Sequence, residues 1–95
     1  MKRPEQMFEV ARSGETKARR REVQLLINIA EPDPQHQPLV VTDEASLLDA
    51  VGTDPDEIAR RLDAYFGASL GLDLGAPIWR LVEMIKRVRP GWPEP

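Results

Sequence analysis

The chain has few side chains that could support metal or redox chemistry. It contains no cysteine and a single histidine, His36. Without cysteine, its 95 residues form no disulfide, no thiolate nucleophile and no sulfur-based zinc site. His36 lies in a polar, proline-rich segment where Glu31 and Asp33 are the nearest acids. Because no second histidine or cysteine accompanies it, we interpret His36 as a solvated loop residue.

A cluster of acids surrounds Pro55 and could in principle hold a divalent cation. Asp54, Asp56 and Glu57 supply carboxylates, which are the ligands that such cations prefer. The same residues also form a helix start, with an aspartate N-cap, a proline in the first turn and acids near the positive end of the helix dipole. We favour helix capping, and we predict no metal site and no cofactor.

The densest basic run contains Lys17, Arg19, Arg20 and Arg21. Such a run could contact phosphates or an acidic protein surface, or it could simply keep a strand edge charged and unpaired. A second basic group, Lys86, Arg87 and Arg89, ends the last predicted helix. If the two groups fold together, they form one basic face, which is the first surface to mutate.

Two tryptophans are candidate partner contacts. Trp79 lies beside the apolar stripe of the last predicted helix, and Trp92 lies just beyond its end. Tryptophan is enriched at the centres of protein interfaces, so both are candidates for binding. The alternative is that Trp79 completes the edge of the core and Trp92 folds back as a lid.

The sequence contains no motif for nucleotide binding or nucleophilic catalysis. Gly67, Gly71 and Gly75 are spaced by four residues, but they lack the preceding strand and the lysine of a phosphate-binding loop. A nucleophile elbow and a zinc-protease helix are also missing. Catalysis is therefore the least supported class, and it would need a site at a dimer interface using Tyr65, His36 or a carboxylate.

Hydrophobic alternation predicts two or three strands. Residues 22–30 alternate apolar and more polar side chains at the period of a half-buried strand. Residues 39–42 are a second β-rich run, and the proline-rich loop before them suggests antiparallel pairing. Residues 6–12 fit either a strand or a short helix, and we favour a strand. With a turn at residues 13–16, these runs predict a meander with 22–30 in the centre.

Three helices are predicted in the second half of the chain. The first spans residues 43–51 and is capped by Thr42 or Asp43. The second spans residues 55–66, and the third spans residues 77–89. The sequence thus predicts a single α+β domain over residues 1–95, in which a small two- or three-stranded antiparallel β-meander packs against two or three α-helices.

Charge is unevenly distributed along the chain. Residues 1–25 contain seven Lys or Arg and four acids, whereas residues 26–78 contain two and ten. The net charge of −3 gives no general attraction to nucleic acid. The chain lacks a signal-peptide pattern and a long apolar run, so we expect a cytoplasmic protein without a membrane partner.

These features favour a small non-enzymatic protein-interaction domain, such as an adaptor, an immunity or inhibitor protein, or a regulator. We expect it to bind another protein or itself as a homodimer. The candidate contacts are Trp79, Trp92, Arg19, Arg20, Arg21, Lys86 and Arg87. The alternative is a nucleic-acid-binding regulator, because the three predicted helices loosely resemble a helix-turn-helix arrangement. The predicted second helix presents mostly acids and arginines, which argues against that alternative.

Overall fold

The computed structural model describes residues 9–10 and 14–93, and this part of the chain is mostly helical. Its α-helices are α1 Gly14–Ala18, α2 Arg20–Ala30, α3 Leu47–Ala50, α4 Pro55–Phe66 and α5 Ile78–Val88. Its strands are β1 Glu9–Val10 and β2 Val40–Val41. None of the helices in these ranges has the length and apolar character needed to cross a membrane.

The predicted β-meander is wrong. Residues 22–30, expected to be its central strand, belong to α2. Residues 14–16 of the predicted turn belong to α1. The described residues therefore form a helical domain with a minimal β element, and the α+β meander architecture is replaced by helices packed on helices.

The two strands match only fragments of the predicted ones. Residues 9 and 10 of the predicted strand 6–12 form β1, and the rest of that range lies outside the described residues. Val40 and Val41, from the predicted range 39–42, form β2. β1 and β2 pair in parallel, with Glu9 opposite Val40 and Val10 opposite Val41. A meander requires antiparallel neighbours, so this pairing also contradicts it.

α2 is a helix because its apolar residues can be buried at helical spacing. Val23, Leu26, Ile27 and Ala30 are fully buried, and they are separated by three, one and three residues. The strand prediction placed Leu26 on the polar face, although it is one of the most buried residues. α2 stops before Pro32, because a proline disfavours helical geometry at the residue before it, here the extended Glu31.

α3 is shorter than predicted, because its expected caps serve another helix. The carboxylate of Asp43 accepts hydrogen bonds from the backbone N–H groups of Glu15 (3.3 Å) and Thr16 (2.9 Å) at the start of α1. α3 instead begins after Ser46, which forms a capping box with Asp49. The predicted helix 43–51 thus shrinks to Leu47–Ala50.

α4 and α5 lie where the sequence predicts them. α4 has the predicted bounds of 55–66: the carboxylate of Asp54 accepts from the N–H of Asp56, and Gly67 ends the helix in the left-handed conformation. α5 is one residue shorter at each end than the predicted 77–89. Both helices carry clear stop signals in the sequence, which explains the agreement.

The core forms where α4 and α5 pack against α2. The buried apolar side chains come mainly from these three helices, with Val41 from β2, Leu47 from α3, and Val51 and Trp92 from the segments after α3 and α5. Arg61 of α4 also donates a hydrogen bond of 2.7 Å to the backbone carbonyl of Ala30, at the end of α2. α2 therefore lies at the centre of the fold, and α4 and α5 are positioned by packing against it.

Leu25 and Leu26 distinguish the helix from the predicted strand by mutation. Leu26 is fully buried in α2 and Leu25 is only partly buried, whereas the predicted strand would bury Leu25 and expose Leu26. We expect Leu26→Ala to lower the free energy of unfolding by about 2–5 kcal/mol and Leu25→Ala by less than about half of that. Urea denaturation measures both values, and a larger loss for Leu25→Ala would contradict the helix.

Candidate functional site

Trp79 is held in place by three groups and is only partly exposed. Its Nε1–H donates a hydrogen bond of 2.8 Å to the backbone carbonyl of Asp43. The guanidinium carbons of Arg80 and Arg19 lie 4.8 Å and 5.5 Å from the indole centroid. Both distances suit cation–π attraction. The indole ring therefore supports two arginines, and its role in binding a partner would be to position them.

Arg19 connects α1 to α5. Its guanidinium forms ion pairs with Glu15 in α1 (2.7 Å) and with Glu83 in α5 (2.8 Å). The side chain is about one-quarter exposed, so solvent screens these pairs less than it screens pairs on an open surface. Arg19 of the basic run therefore contacts the last helix, and this contact is the condition for one basic face.

Another ion pair joins α2 to α5. The ammonium group of Lys86 lies 3.0 Å from the Glu22 carboxylate. Partial burial raises the pKa of Glu22, but the hydrogen bond from Lys86, a backbone hydrogen bond and the charges of Lys86 and Arg21 lower it by more. The pKa of Glu22 therefore lies below its ordinary value of 4.5.

These contacts assemble a surface that we call the basic face, formed by Arg19, Arg80, Lys86 and Arg87. An open groove runs along it, lined by Arg19, Val82, Glu83, Lys86 and Arg87. Arg87 is exposed and forms no ion pair with another residue of the described ranges. Trp79 lies beneath one end of this face. Three of the predicted cations, Arg19, Lys86 and Arg87, thus share one surface with Trp79, and Arg80, which was not among the predicted contacts, joins them.

The other predicted cations do not line the groove of the basic face. Arg20 and Arg21 are exposed in the first turn of α2, and each already interacts within the chain. Arg89 lies elsewhere and donates a hydrogen bond of 2.9 Å to the backbone carbonyl of Phe66, the last residue of α4. It therefore satisfies the end of a helix.

Trp92 is part of the core edge and is not an exposed anchor. Its side chain packs on Phe66, with ring centroids 5.9 Å apart, and the residue is 8% exposed. Its Nε1–H donates a hydrogen bond of 3.1 Å to the hydroxyl of Tyr65. Trp92 thus folds back onto α4 as a lid, which was the alternative to a partner contact.

The loop histidine and the acid cluster have structural surroundings. His36 is exposed, and its Nδ1 lies 3.4 Å from Asp33. Asp54 caps α4, and Glu57 pairs with Arg60 and with Arg61. Within the ranges that the structure describes, no three potential metal ligands come together.

A small apolar cavity lies between α4 and the segment after it. Its volume is about 110 Å³, and its lining includes Ala59, Leu62, Leu70, Leu72 and Leu74. Asp63 and Ser69 supply polar atoms at its wall. The cavity is too small for a drug-sized ligand, which typically needs roughly 300–1,000 Å³.

Sequence reasoning missed the acids that organise the basic face. Glu83 and Glu22 each hold a cation that is 64 positions away in the chain. No local pattern reports such distant pairs. The pair between Glu15 and Arg19 was detectable, since a glutamate four residues before an arginine is a helix-pair signal.

Comparisons with models of protein families, with curated proteins and with solved structures found no match. The interpretation of the basic face therefore depends on its own contacts and charges.

The lowered pKa of Glu22 predicts a pH-dependent contribution to stability. A carboxylate whose pKa is lower in the folded state stabilises the fold above the unfolded-state pKa, and this contribution disappears as the pH falls through the folded-state pKa. We expect Glu22→Gln to be less stable than the wild type at neutral pH, by up to about 1 kcal/mol. The difference should shrink as the pH is lowered from about 5 to about 3.

Chemical denaturation across this pH range measures the difference. Glu44→Gln is the matched control, because Glu44 is exposed and is not among the carboxylates that form ion pairs in residues 14–93. A stability difference for Glu22→Gln that stays constant from neutral pH to about pH 3 would contradict the ionic role of Glu22.

Proposed function

We propose that this chain is a non-enzymatic protein-interaction domain that binds an acidic protein surface through the basic face. The observation that carries the proposal is the assembly of Arg19 with the cations of α5 by two ion pairs between distant parts of the chain, with Arg19 and Arg80 placed over Trp79. Preorganised arginines lose less side-chain freedom when they bind, which makes such a face suitable for docking.

The arrangement leaves charge available for a partner. Glu83 and Glu22 hold Arg19 and Lys86, whereas Arg80 and Arg87 form no ion pair with the residues described here. The face therefore presents two cations that have no acid of their own, each beside a fixed ion pair. This mixed pattern favours a protein surface of alternating charge, since carboxylates such as Glu83 would repel a continuous phosphate backbone.

The nucleic-acid alternative has weaker support. A helix that reads bases needs donors and cations on its exposed face. The exposed face of α4 carries Asp56, Arg60 and Asp63, so acids flank its arginine. Enzymatic activity has no specific support either, because the carboxyl groups of Glu22, Glu31 and Glu57 have pKa values below their ordinary value and not near neutrality.

Binding of two labelled probes tests the proposal. The probes are a glutamate-rich peptide of about 16 residues and a DNA duplex of similar length, both measured by fluorescence anisotropy at about 50 mM salt, where phosphate contacts are strong. We expect the protein to bind the peptide and to prefer it over the duplex. Arg87→Glu should weaken peptide binding about three- to tenfold, because it removes an exposed ion pair with the peptide, which is worth about 1 kcal/mol.

Lys17→Glu is the matched control, because it makes the same change in charge at an exposed position of α1 outside the basic face. It should alter the dissociation constant for the peptide by less than about twofold. Absence of peptide binding, or equal weakening by the two substitutions, would contradict the proposal. Tighter binding of the duplex that Arg87→Glu weakens would favour the nucleic-acid alternative in its place.

A further inference from the structure

Two exposed helix faces of this domain carry opposite charge patterns. We call the first the α4 stripe; it consists of Asp56, Arg60 and Asp63. We call the second the α5 stripe; it consists of Arg80, Glu83 and Arg87. The α4 stripe is negative, positive, negative along the helix, and the α5 stripe is positive, negative, positive. Each has its outer members seven residues apart, which is two helical turns and about 10.5 Å.

The spacings match when the two helices run antiparallel. From Asp56, the other members of the α4 stripe follow after four and seven residues. Counted backwards from Arg87, the other members of the α5 stripe also follow after four and seven residues. Antiparallel alignment thus opposes all three charges at once, whereas parallel alignment shifts the middle pair by one residue, about 1.5 Å.

The two stripes do not face each other within one molecule. α4 buries Ile58, Leu62 and Phe66, and α5 buries Ile78, Leu81, Val82 and Ile85, in the core built around α2. At 100° per residue, each stripe lies on the side of its helix away from these buried residues. Asp56, Asp63, Arg80 and Arg87 are exposed, and Glu83 is 40% exposed.

The outer charges of the two stripes form no ion pair within the described ranges, and the central charges are held in position. Asp56 and Asp63 form no ion pair with another described residue, and the same holds for Arg87. The central members are already oriented, because Glu57 holds Arg60 and Arg19 holds Glu83. Trp79 supports Arg80 from below. A complementary helix would therefore meet fixed charges in a fixed order.

Side chains beside the stripes allow two helices to approach. Ala64 lies next to the α4 stripe and is exposed, and Ala59 on its other side is partly exposed. Val88 is 58% exposed beside Arg87 at the end of the α5 stripe. Small residues on one helix and an apolar residue on the other permit packing at the usual interaxial distance of about 8–10 Å.

We propose that the acidic surface bound by the basic face is the α4 stripe of a second copy of this chain, with α4 and α5 antiparallel. In this contact Asp56 faces Arg87, Arg60 faces Glu83 and Asp63 faces Arg80. The inference rests on the proposed function and specifies its partner. Exposed ion pairs are individually weak and are screened by salt, so the association is weak and salt-sensitive.

Charge reversal at the pair of Asp56 and Arg87 tests this contact. The wild type should self-associate in sedimentation equilibrium at about 50 mM salt and dissociate at about 500 mM salt. Asp56→Arg and Arg87→Glu should each weaken self-association at least about fivefold, because each places like charges opposite one another. Mixing the two variants, or combining them in one chain, restores opposite charges and should restore association to within about twofold of the wild type.

Controls separate this effect from net charge and from folding. Glu44→Arg and Lys17→Glu make the same changes in charge outside both stripes, and each should leave the association constant within about twofold of the wild type. Asp56 lies in the first turn of α4, where an acid favours the helix, so circular dichroism checks that Asp56→Arg is folded. If Asp56→Arg does not fold, the same charge-reversal experiment is carried out with Asp63→Arg and Arg80→Glu.

Restored association in the mixture and in the double variant, after loss in each single variant, would establish the contact. A wild type that stays monomeric at about 50 mM salt would overturn it, and so would association that the single variants leave unchanged. If the protein still binds the glutamate-rich peptide in either case, the proposed function stands and only the identity of the partner fails. Loss of both self-association and peptide binding would overturn both.

Discussion

The fold depends on the burial of one face of α2. Val23, Leu26, Ile27 and Ala30 are completely removed from solvent, and α4 and α5 cover them. Burying a Val, Leu or Ile side chain is worth about 1.5–3 kcal/mol, so this face outweighs the weak helical preference of the β-branched residues in the segment. The same contact positions α4 and α5, and it therefore also positions the two charge stripes that these helices carry.

Electrostatic contacts then fix how the elements surround that core. Asp43 accepts hydrogen bonds from the first turn of α1, its backbone carbonyl accepts from Trp79, and Arg19 joins α1 to α5. These contacts are individually modest, but they share partners and so support one another. The basic face is thus a consequence of how α1 docks against α5, and its cations are ordered before any partner arrives.

The sequence predicted elements whose boundaries are encoded locally. α4 was predicted with its observed bounds because Asp54, Pro55 and Gly67 mark its ends. α2 was mistaken for a strand because its dense apolar run satisfies a period of two as well as a helical period. Only tertiary packing, which buries Leu26 and leaves Leu25 partly exposed, distinguishes the two. The sequence indicated that the two basic groups form one face if they fold together, but it did not reveal the acids that hold this face, since Glu22 and Glu83 act across 64 positions.

Amide hydrogen exchange across residues 23–30 tests the central role of α2 most directly. The account predicts that the backbone amides of Leu26, Ile27 and Ala30 exchange only through global unfolding, at the same free energy as the core amides of α4 and α5. Exchange that is faster than in α4 and α5, or protection that alternates from one residue to the next, would contradict a central helix and remove the basis for placing both stripes.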